Sequence, residues 1–382
     1  MTWLRLAGAL VSIGTTQVGL WLALCRIYSL RPRARRWLAV GQVLLAIFFV
    51  AFLFAARAGA EVPPLLRIFV VEPLLVLEAF TLPLLLVLGT ALSIAGRAPP
   101  RQEPLSEARR VFLARAATGL FAGAAGFVAF GIDEAEEAPE LTRRDVFIRG
   151  LPRALDGLTV LQLSDIHAGA LMTQARMEVI ARAGIALAPD LVVMTGDLFD
   201  VSARAAAPFT RAFRDLHGKL GTFAILGNHD YLAGEGAVKR AVQDAGMRLL
   251  RNDGARIERG GGTLWLGGVD DPSKRSVGSD PVAALRHASP EEPRILLAHR
   301  PSLFDECASA GAQLVLSGHT HGGQIALSPR WSFARALGPY TMGHYEKNGA
   351  QLYVHRGMGT VGPVPLRAGS PPELALLTLR RS

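Results

Sequence analysis

Cysteine is nearly absent: the 382-residue chain has two, Cys25 and Cys307, so no disulfide framework exists to report a compartment. Charge is sparse as well, 19% of residues against 50% hydrophobic, which excludes a disordered or fibrous protein. Lysine is missing from the first 115 residues, which carry 13 Arg and 5 acidic residues, a net +8. The remainder carries 28 basic and 27 acidic residues. Nearly all of the net charge of +9 is therefore N-terminal, and the later part lacks the basic stripe that nucleic-acid binding requires. The length leaves room for one large core and a second unit.

Polar residues are what the N-terminal third lacks. Leu6 to Cys25 and Trp37 to Ala56 are uncharged runs of about twenty residues, enough to cross roughly 30 Å of hydrocarbon as helices. Pro73 to Ala95 is interrupted by Glu78 and Pro83, and Ala116 to Ile132 is a shorter run rich in Ala and Gly. Residues 1–140 are thus expected to be an all-α transmembrane region of about four helices (6–25, 37–56, 73–95 and 116–132), followed by a catalytic domain at 141–382. Arginine sets the orientation. The first loop carries Arg26, Arg31, Arg33, Arg35 and Arg36, and the third carries Arg97, Arg101, Arg109, Arg110 and Arg115, against Arg57 and Arg67 in the second. Loops one and three are expected inside, so the catalytic domain is expected outside a cytoplasmic membrane if all four runs span. Acidic residues between Asp133 and Glu140 suit an exported flank, and Ala108-Arg109-Arg110-Val111-Phe112-Leu113 resembles an internal twin-arginine export signal.

From Leu158 the pattern becomes short β-branched or Leu-rich runs alternating with helical stretches, the rhythm of an α/β fold. Strands are expected at 158–163, 191–195, 222–226, 263–266, 294–298, 313–316, 351–354 and 373–379, with helices at 173–187 and 203–217. Some of the later strands lack intervening helices, which suggests a second, more mixed sheet. In open α/β sheets, ligands bind at the carboxyl ends of strands. Five such ends carry Asp165-Ile166-His167, Gly196-Asp197, Gly227-Asn228-His229-Asp230, His299 and Gly318-His319-Thr320-His321. An Asp after a strand is often a helix cap, and a lone His is more often structural than a ligand. Five coincident strand ends are not explained that way. Oxygen and imidazole donors without thiolate suit Mn, Fe or Zn. Two such ions sharing a carboxylate can activate water and stabilise an in-line displacement at phosphorus.

These motifs, continuing into Gly322-Gly323-Gln324, resemble the calcineurin-like metallophosphoesterases, in particular their membrane-associated or exported bacterial subgroup. The resemblance covers roughly residues 145–382 and implies two packed mixed β-sheets flanked by helices. It implies that Asp165, His167 and His321 hold one divalent ion, that Asn228, His299 and His319 hold a second, and that Asp197 bridges them. His229 would contact the phosphate and protonate the leaving oxygen, with Asp230 orienting it. Asn228, His229 and Arg300 are the expected substrate contacts. Asp200 is read as a helix cap in preference to a support for the site, and Arg356 to Thr360 as a pocket rim. His217, His287, His344 and His355 have no motif context.

The expected activity is a membrane-anchored phosphoesterase acting on phosphodiester or pyrophosphate bonds, with a substrate that is lipid-linked in one version. A second reading resembles the cytoplasm-facing hydrolases of UDP-2,3-diacylglucosamine in lipid A synthesis, which requires the opposite topology. A third, from another class, is a transporter or sensor that uses the bundle. Only Glu78 is an ionisable group well inside an expected span, which disfavours transport.

Overall fold

The computed structural model describes residues 107–382, apart from 274–277, 329, 337, 363 and 364, together with a few helical residues between 32 and 47. The expected spans 6–25 and 73–95, and most of 37–56, lie outside the described residues. The fourth, 116–132, falls within helix α1 (Glu107–Glu136). Among the described residues, however, no helix is long and apolar enough to cross a membrane. Ala and Gly dominate that run, and they carry little of the apolar surface that drives transfer into hydrocarbon. The chain divides into two compact units, Met1–Phe130 and Gly131–Ser382.

In the second unit, one six-stranded sheet runs in the order β1 (Glu140–Ile148), β14 (Glu373–Arg381), β2 (Thr159–Leu163), β3 (Leu191–Thr195), β4 (Thr222–Ile225) and β5 (Arg248–Leu249). Its strands are parallel except where β14 meets β2. The other runs β12 (Gly343–Lys347), β13 (Ala350–Val354), β9 (Leu314–Ser317), β8 (Arg294–Leu297), β7 (Gly262–Gly268) and β6 (Asp253–Arg259). Parallel at its centre, it ends in an antiparallel pair on each side. A two-stranded ribbon, β10 (Ala326–Ser328) and β11 (Trp331–Ser332), stands apart. Two mixed sheets flanked by helices are what the resemblance implies.

The period-two geometry of a strand explains the layering. Val160, Leu191, Val193, Phe223, Ile225, Leu377 and Leu379 of the first sheet meet Leu264, Leu266, Ile295, Leu297, Leu314 and Leu316 of the second in one core. The alternate residues Leu161, Leu163, Val192, Met194, Ala224 and Leu376 turn outward onto helices α2 (Gln174–Ala186), α3 (Ala206–Phe213) and α5 (Glu235–Asp244). The short helix α4 (Asn228–Ala233) leads into α5. On the far side Leu296, Val315 and Leu352 pack under α6 (Pro281–Ala284) and α7 (Phe304–Ser309), which buries Cys307. The helix expected over 203–217 is shorter, a 3-10 turn at Ala203–Ala205 followed by α3. Pro208 lacks an N–H and is accommodated only in a first turn, so the α-helix begins just ahead of it.

The alternation makes opposite predictions for two side chains on neighbouring strands. Leu377→Ala opens a cavity between the sheets and is expected to lower unfolding free energy by about 2–5 kcal/mol. Phe147, 57% exposed on β1, should tolerate Ala with a change within about 0.5 kcal/mol. Urea denaturation of both variants checks this.

Candidate metal centre

All five motif blocks lie just beyond carboxyl ends of strands, three from the first sheet (β2, β3, β4) and two from the second (β8, β9). The loops are laddered to one another: the Asp165 N–H donates to Gly196 O (3.0 Å), His167 N–H to Asp197 O (3.0 Å) and Gly318 N–H to His299 O (3.0 Å). Beneath them the buried Gln162 amide donates to Thr195 Oγ1 (3.1 Å) and to Ser317 O (2.9 Å), tying the two sheets together.

Above this tie the donor atoms converge. Asp165, His167 and His321 form one group able to hold a metal ion, Asp197, His299 and His319 a second, and His167, Asp197 and His229 a third that overlaps both; within each, donor atoms lie within 4.8 Å of one another. The Nε2 atoms of His167 and His321 are 3.1 Å apart, a spacing that fits two imidazoles on one ion. His321 Nε2 is 3.3 Å from Asp165 Oδ1, and His299 Nε2 is 3.2 Å from Asp197 Oδ2. Buried Asn228 Oδ1 and His299 Nε2 have no hydrogen-bond partner. Buried polar atoms are rarely left so. Bare, inward-facing oxygen and nitrogen donors fit a divalent cation.

The tautomers fit too. His299 Nδ1 contacts Thr195 O at 2.8 Å and His321 Nδ1 contacts Gly359 O at 3.3 Å. A carbonyl only accepts, so each Nδ1 carries the proton and each Nε2 presents its lone pair to the centre. The Asp165 carboxylate accepts from the His319 N–H at 3.0 Å, and Asp197 Oδ1 accepts from the His229 N–H at 2.8 Å. Burial opposes ionisation of Asp165, yet His321, His299 and His167 hold it well below the usual carboxylate range. Asp197 is lowered as well, burial being outweighed by His299 and His167. Burial works against a charged His299, but Asp197 and Asp165 push it up to about 10. Burial lowers His319 and His321, so these imidazoles add no charge of their own to two carboxylates held ionised out of water.

Backbone strain accompanies this convergence. Asp165, His167, Asp197, His319 and His321 all adopt left-handed φ between 50° and 70°, a region costly for residues with a Cβ and found mostly at functional sites. Gly227 and Gly318 permit the close approach. A Cβ on Gly227 would lie 2.2 Å from Asp197 Oδ1, and one on Gly318 2.2 Å from Asp165 Oδ2.

Two expected roles change. Asp230 does not orient His229: its Oδ1 accepts from the Phe199 N–H (3.0 Å) and its Oδ2 from the Gly227 N–H (2.8 Å). Burial and the nearby Asp197 raise its carboxyl to about 7. The His229 ring faces Asp200 instead, with Nδ1 3.1 Å from Asp200 O and 3.5 Å from Asp200 Oδ1. Asp200 is therefore not a helix cap, and the cap of the following 3-10 turn is Ser202. Burial tends to lower His229, but Asp200 and Asp197 raise it above its usual value. Arg300 directs Nε and one terminal nitrogen at Asp271, at 2.8 and 3.3 Å. Gln162 was legible in principle as an amide within the apolar strand Thr159-Val160-Leu161-Gln162-Leu163. Asp200 stands three residues after Asp197, a spacing that allows the support it gives as well as the cap expected of it, whereas Thr195 carries no such signal because its contacts are made only after folding.

Residues 158–323 match the calcineurin-like phosphoesterase family. A metallophosphoesterase of Aquifex aeolicus is 32% identical over 235 residues, 60% of this chain and 87% of that one. The chain belongs to the calcineurin-like phosphoesterases. Like its family, it is a metal-dependent phosphoester hydrolase with a His/Asp cluster able to bind metal ions. A Bacillus subtilis metallophosphoesterase is 31% identical over 261 residues, 63% of this chain and 85% of that one. A Bos taurus protein named a transmembrane protein with metallophosphoesterase domain is 32% identical over 265 residues, 65% of this chain; the chain spans 59% of its length.

For this phosphoesterase the glycine contacts generate a test. Gly227→Ala forces the Asp197 carboxylate aside, and a displacement of about 1 Å in a reacting constellation costs on the order of 10²-fold in rate. Gly261→Ala, at φ 79° with nothing within 4 Å, should cost only about 1–2 kcal/mol of stability and leave metal binding unchanged. Metal analysis and hydrolysis of a chromogenic phosphodiester check both.

Proposed function

We propose that this phosphoesterase hydrolyses phosphodiester or pyrophosphate bonds with two divalent ions, Mn, Fe or Zn, one held by Asp165, His167 and His321 and the other by Asn228, His299 and His319, with Asp197 shared between them. The observation that carries this reading is the overlap of donor groups on Asp197 and His167. Such ions supply hydroxide near neutral pH and neutralise charge developing on the phosphoryl oxygens. The remaining roles belong to the chain. Asp197 accepts from the His229 N–H and so fixes the start of α4 against the donor set. His229, with an 18% exposed side chain, is accessible to substrate. Asp200 O takes the Nδ1 proton, so Nε2 is the atom that delivers a proton to the leaving oxygen. Arg300, its fork fixed by Asp271 beside His299, is the cationic contact for a phosphoryl oxygen.

Anchoring in a cytoplasmic membrane, with the catalytic unit outside and a lipid-linked phosphate as substrate, is the second part of the proposal. It is supported by the uncharged runs 6–25 and 37–56, by the arginines gathered in alternate loops and by the name of the cattle relative.

Asp197→Asn is expected to abolish phosphodiester hydrolysis with a fall in bound metal; near-normal turnover in metal-replete protein contradicts the assignment. His229→Ala should keep its metal and lose roughly 10²–10⁴ in rate, whereas loss of metal would make His229 a ligand. For topology, fusions after residue 140 should give alkaline phosphatase activity. Green fluorescence from an untranslocated fusion is the opposing result.

A further inference from the structure

Among the described residues Arg367 has the bulkiest fully buried side chain, and it lies beyond the family match, which ends at residue 323. Its nearest partners are all carbonyl oxygens. One terminal nitrogen donates to Ser370 O (2.7 Å) and Arg356 O (3.0 Å), the other to Gly359 O (2.5 Å), and Nε has no partner. Burial lowers its pKa to about 10, which leaves it a cation at neutral pH. A buried guanidinium without a directly bonded carboxylate is costly and calls for a reason.

Each bonded carbonyl belongs to a segment that surrounds His321. Gly359 O also receives the His321 Nδ1 proton, the contact that turns Nε2 toward the donor cluster. The Ser370 hydroxyl donates to His321 O at 3.0 Å, so the residue gripped by Arg367 also grips the His321 backbone. The Gly359 N–H donates to Asp165 O at 2.7 Å, which carries the same segment to the carboxylate ligand. At Gly357, φ 79°, a Cβ would fall 3.1 Å from His321 Nδ1 and from Asp165 Cβ and 3.2 Å from the Arg367 guanidinium, so the three side chains meet around a glycine. Arg367 makes no hydrogen bond to Asp197, His299 or His319.

We propose that Arg367 is a positioning residue for the Asp165–His167–His321 half of the metal centre: by holding Gly359 O and Ser370 it fixes the tautomer and backbone of His321. Guanidinium is suited to this because its planar fork spans three carbonyls at once, which the single ammonium of Lys does not. This inference rests on the reading that the cluster holds two ions.

The test is Mn²⁺ binding to the full chain, wild type against Arg367→Met and Arg367→Lys, with folding followed by circular dichroism. Outer partners of a ligand typically govern affinity by about 10–100-fold. Arg367→Met is expected to weaken one of the two ions by that factor and leave the other at its wild-type affinity, with Arg367→Lys in between. A folded Arg367→Met chain that binds both ions as wild type overturns the proposal. If Arg367→Met does not fold, Ser370→Ala decides: it removes only the hydroxyl bond to His321 O, and selective weakening of one ion upholds the proposal while wild-type affinity at both overturns it. A wild-type chain that binds no Mn²⁺ would instead refute the metal-site reading.

Discussion

Asp165 and Asp197 place two carboxylates out of water, 0% and 2% exposed, within one shell of imidazoles. Ions removed from solvent carry a penalty of several kcal/mol each unless their lone pairs are satisfied. Backbone N–H groups of His319 and His229 satisfy part of that demand. The facing Nε2 atoms of His167 and His321, and the unpartnered atoms of Asn228 and His299, are left for a cation. Most of the surrounding structure serves to hold this electron-rich cluster together against its own repulsion.

That requirement explains why the site is built from two sheets. A single parallel sheet would offer its strand ends in one row. Here β2, β3 and β4 approach from one side and β8 and β9 from the other. The buried Gln162 bridges Thr195 to Ser317, and His299 reaches across to Thr195 O. The core between the sheets, from Val160 to Leu379, supplies the rigidity. Left-handed backbone at five of the donor residues is tolerated because neighbouring loops are hydrogen-bonded to each other and cannot relax singly.

The strands buried on both faces are visible in the sequence, because Leu191–Thr195 and Leu158–Leu163 are nearly continuous apolar runs. The four strands at the sheet edges are not visible there. β1 (Glu-Leu-Thr-Arg-Arg-Asp-Val-Phe-Ile) is mostly exposed and heavily charged, as edge strands are when they must resist further pairing. β6 and β12 are also rich in charge, though only partly exposed, and β5 has only two residues. The donor residues were legible for a related reason: ligands must sit at strand ends, where sequence order and position coincide. Arg367 is not legible, since it acts through carbonyls that only the folded chain brings together, and Asp200 is visible only as a choice between cap and support that the fold decides. Asp230 was misread because adjacency to His229 in sequence does not carry over to adjacency of side chains on α4.

The charge imbalance has a local meaning in this account. The compact unit Gly131–Ser382 is nearly neutral on paper, 28 basic against 27 acidic residues, so attraction for phosphate would come from bound ions rather than from a basic surface. Sharing of Asp197 between two ions is the central claim. Electron paramagnetic resonance of the full chain loaded with Mn²⁺ tests it most directly. Two ions linked by one carboxylate predict an exchange-coupled dinuclear spectrum that collapses to an isolated-ion spectrum in Asp197→Asn. An isolated-ion spectrum from the wild type at saturating Mn²⁺ would contradict it.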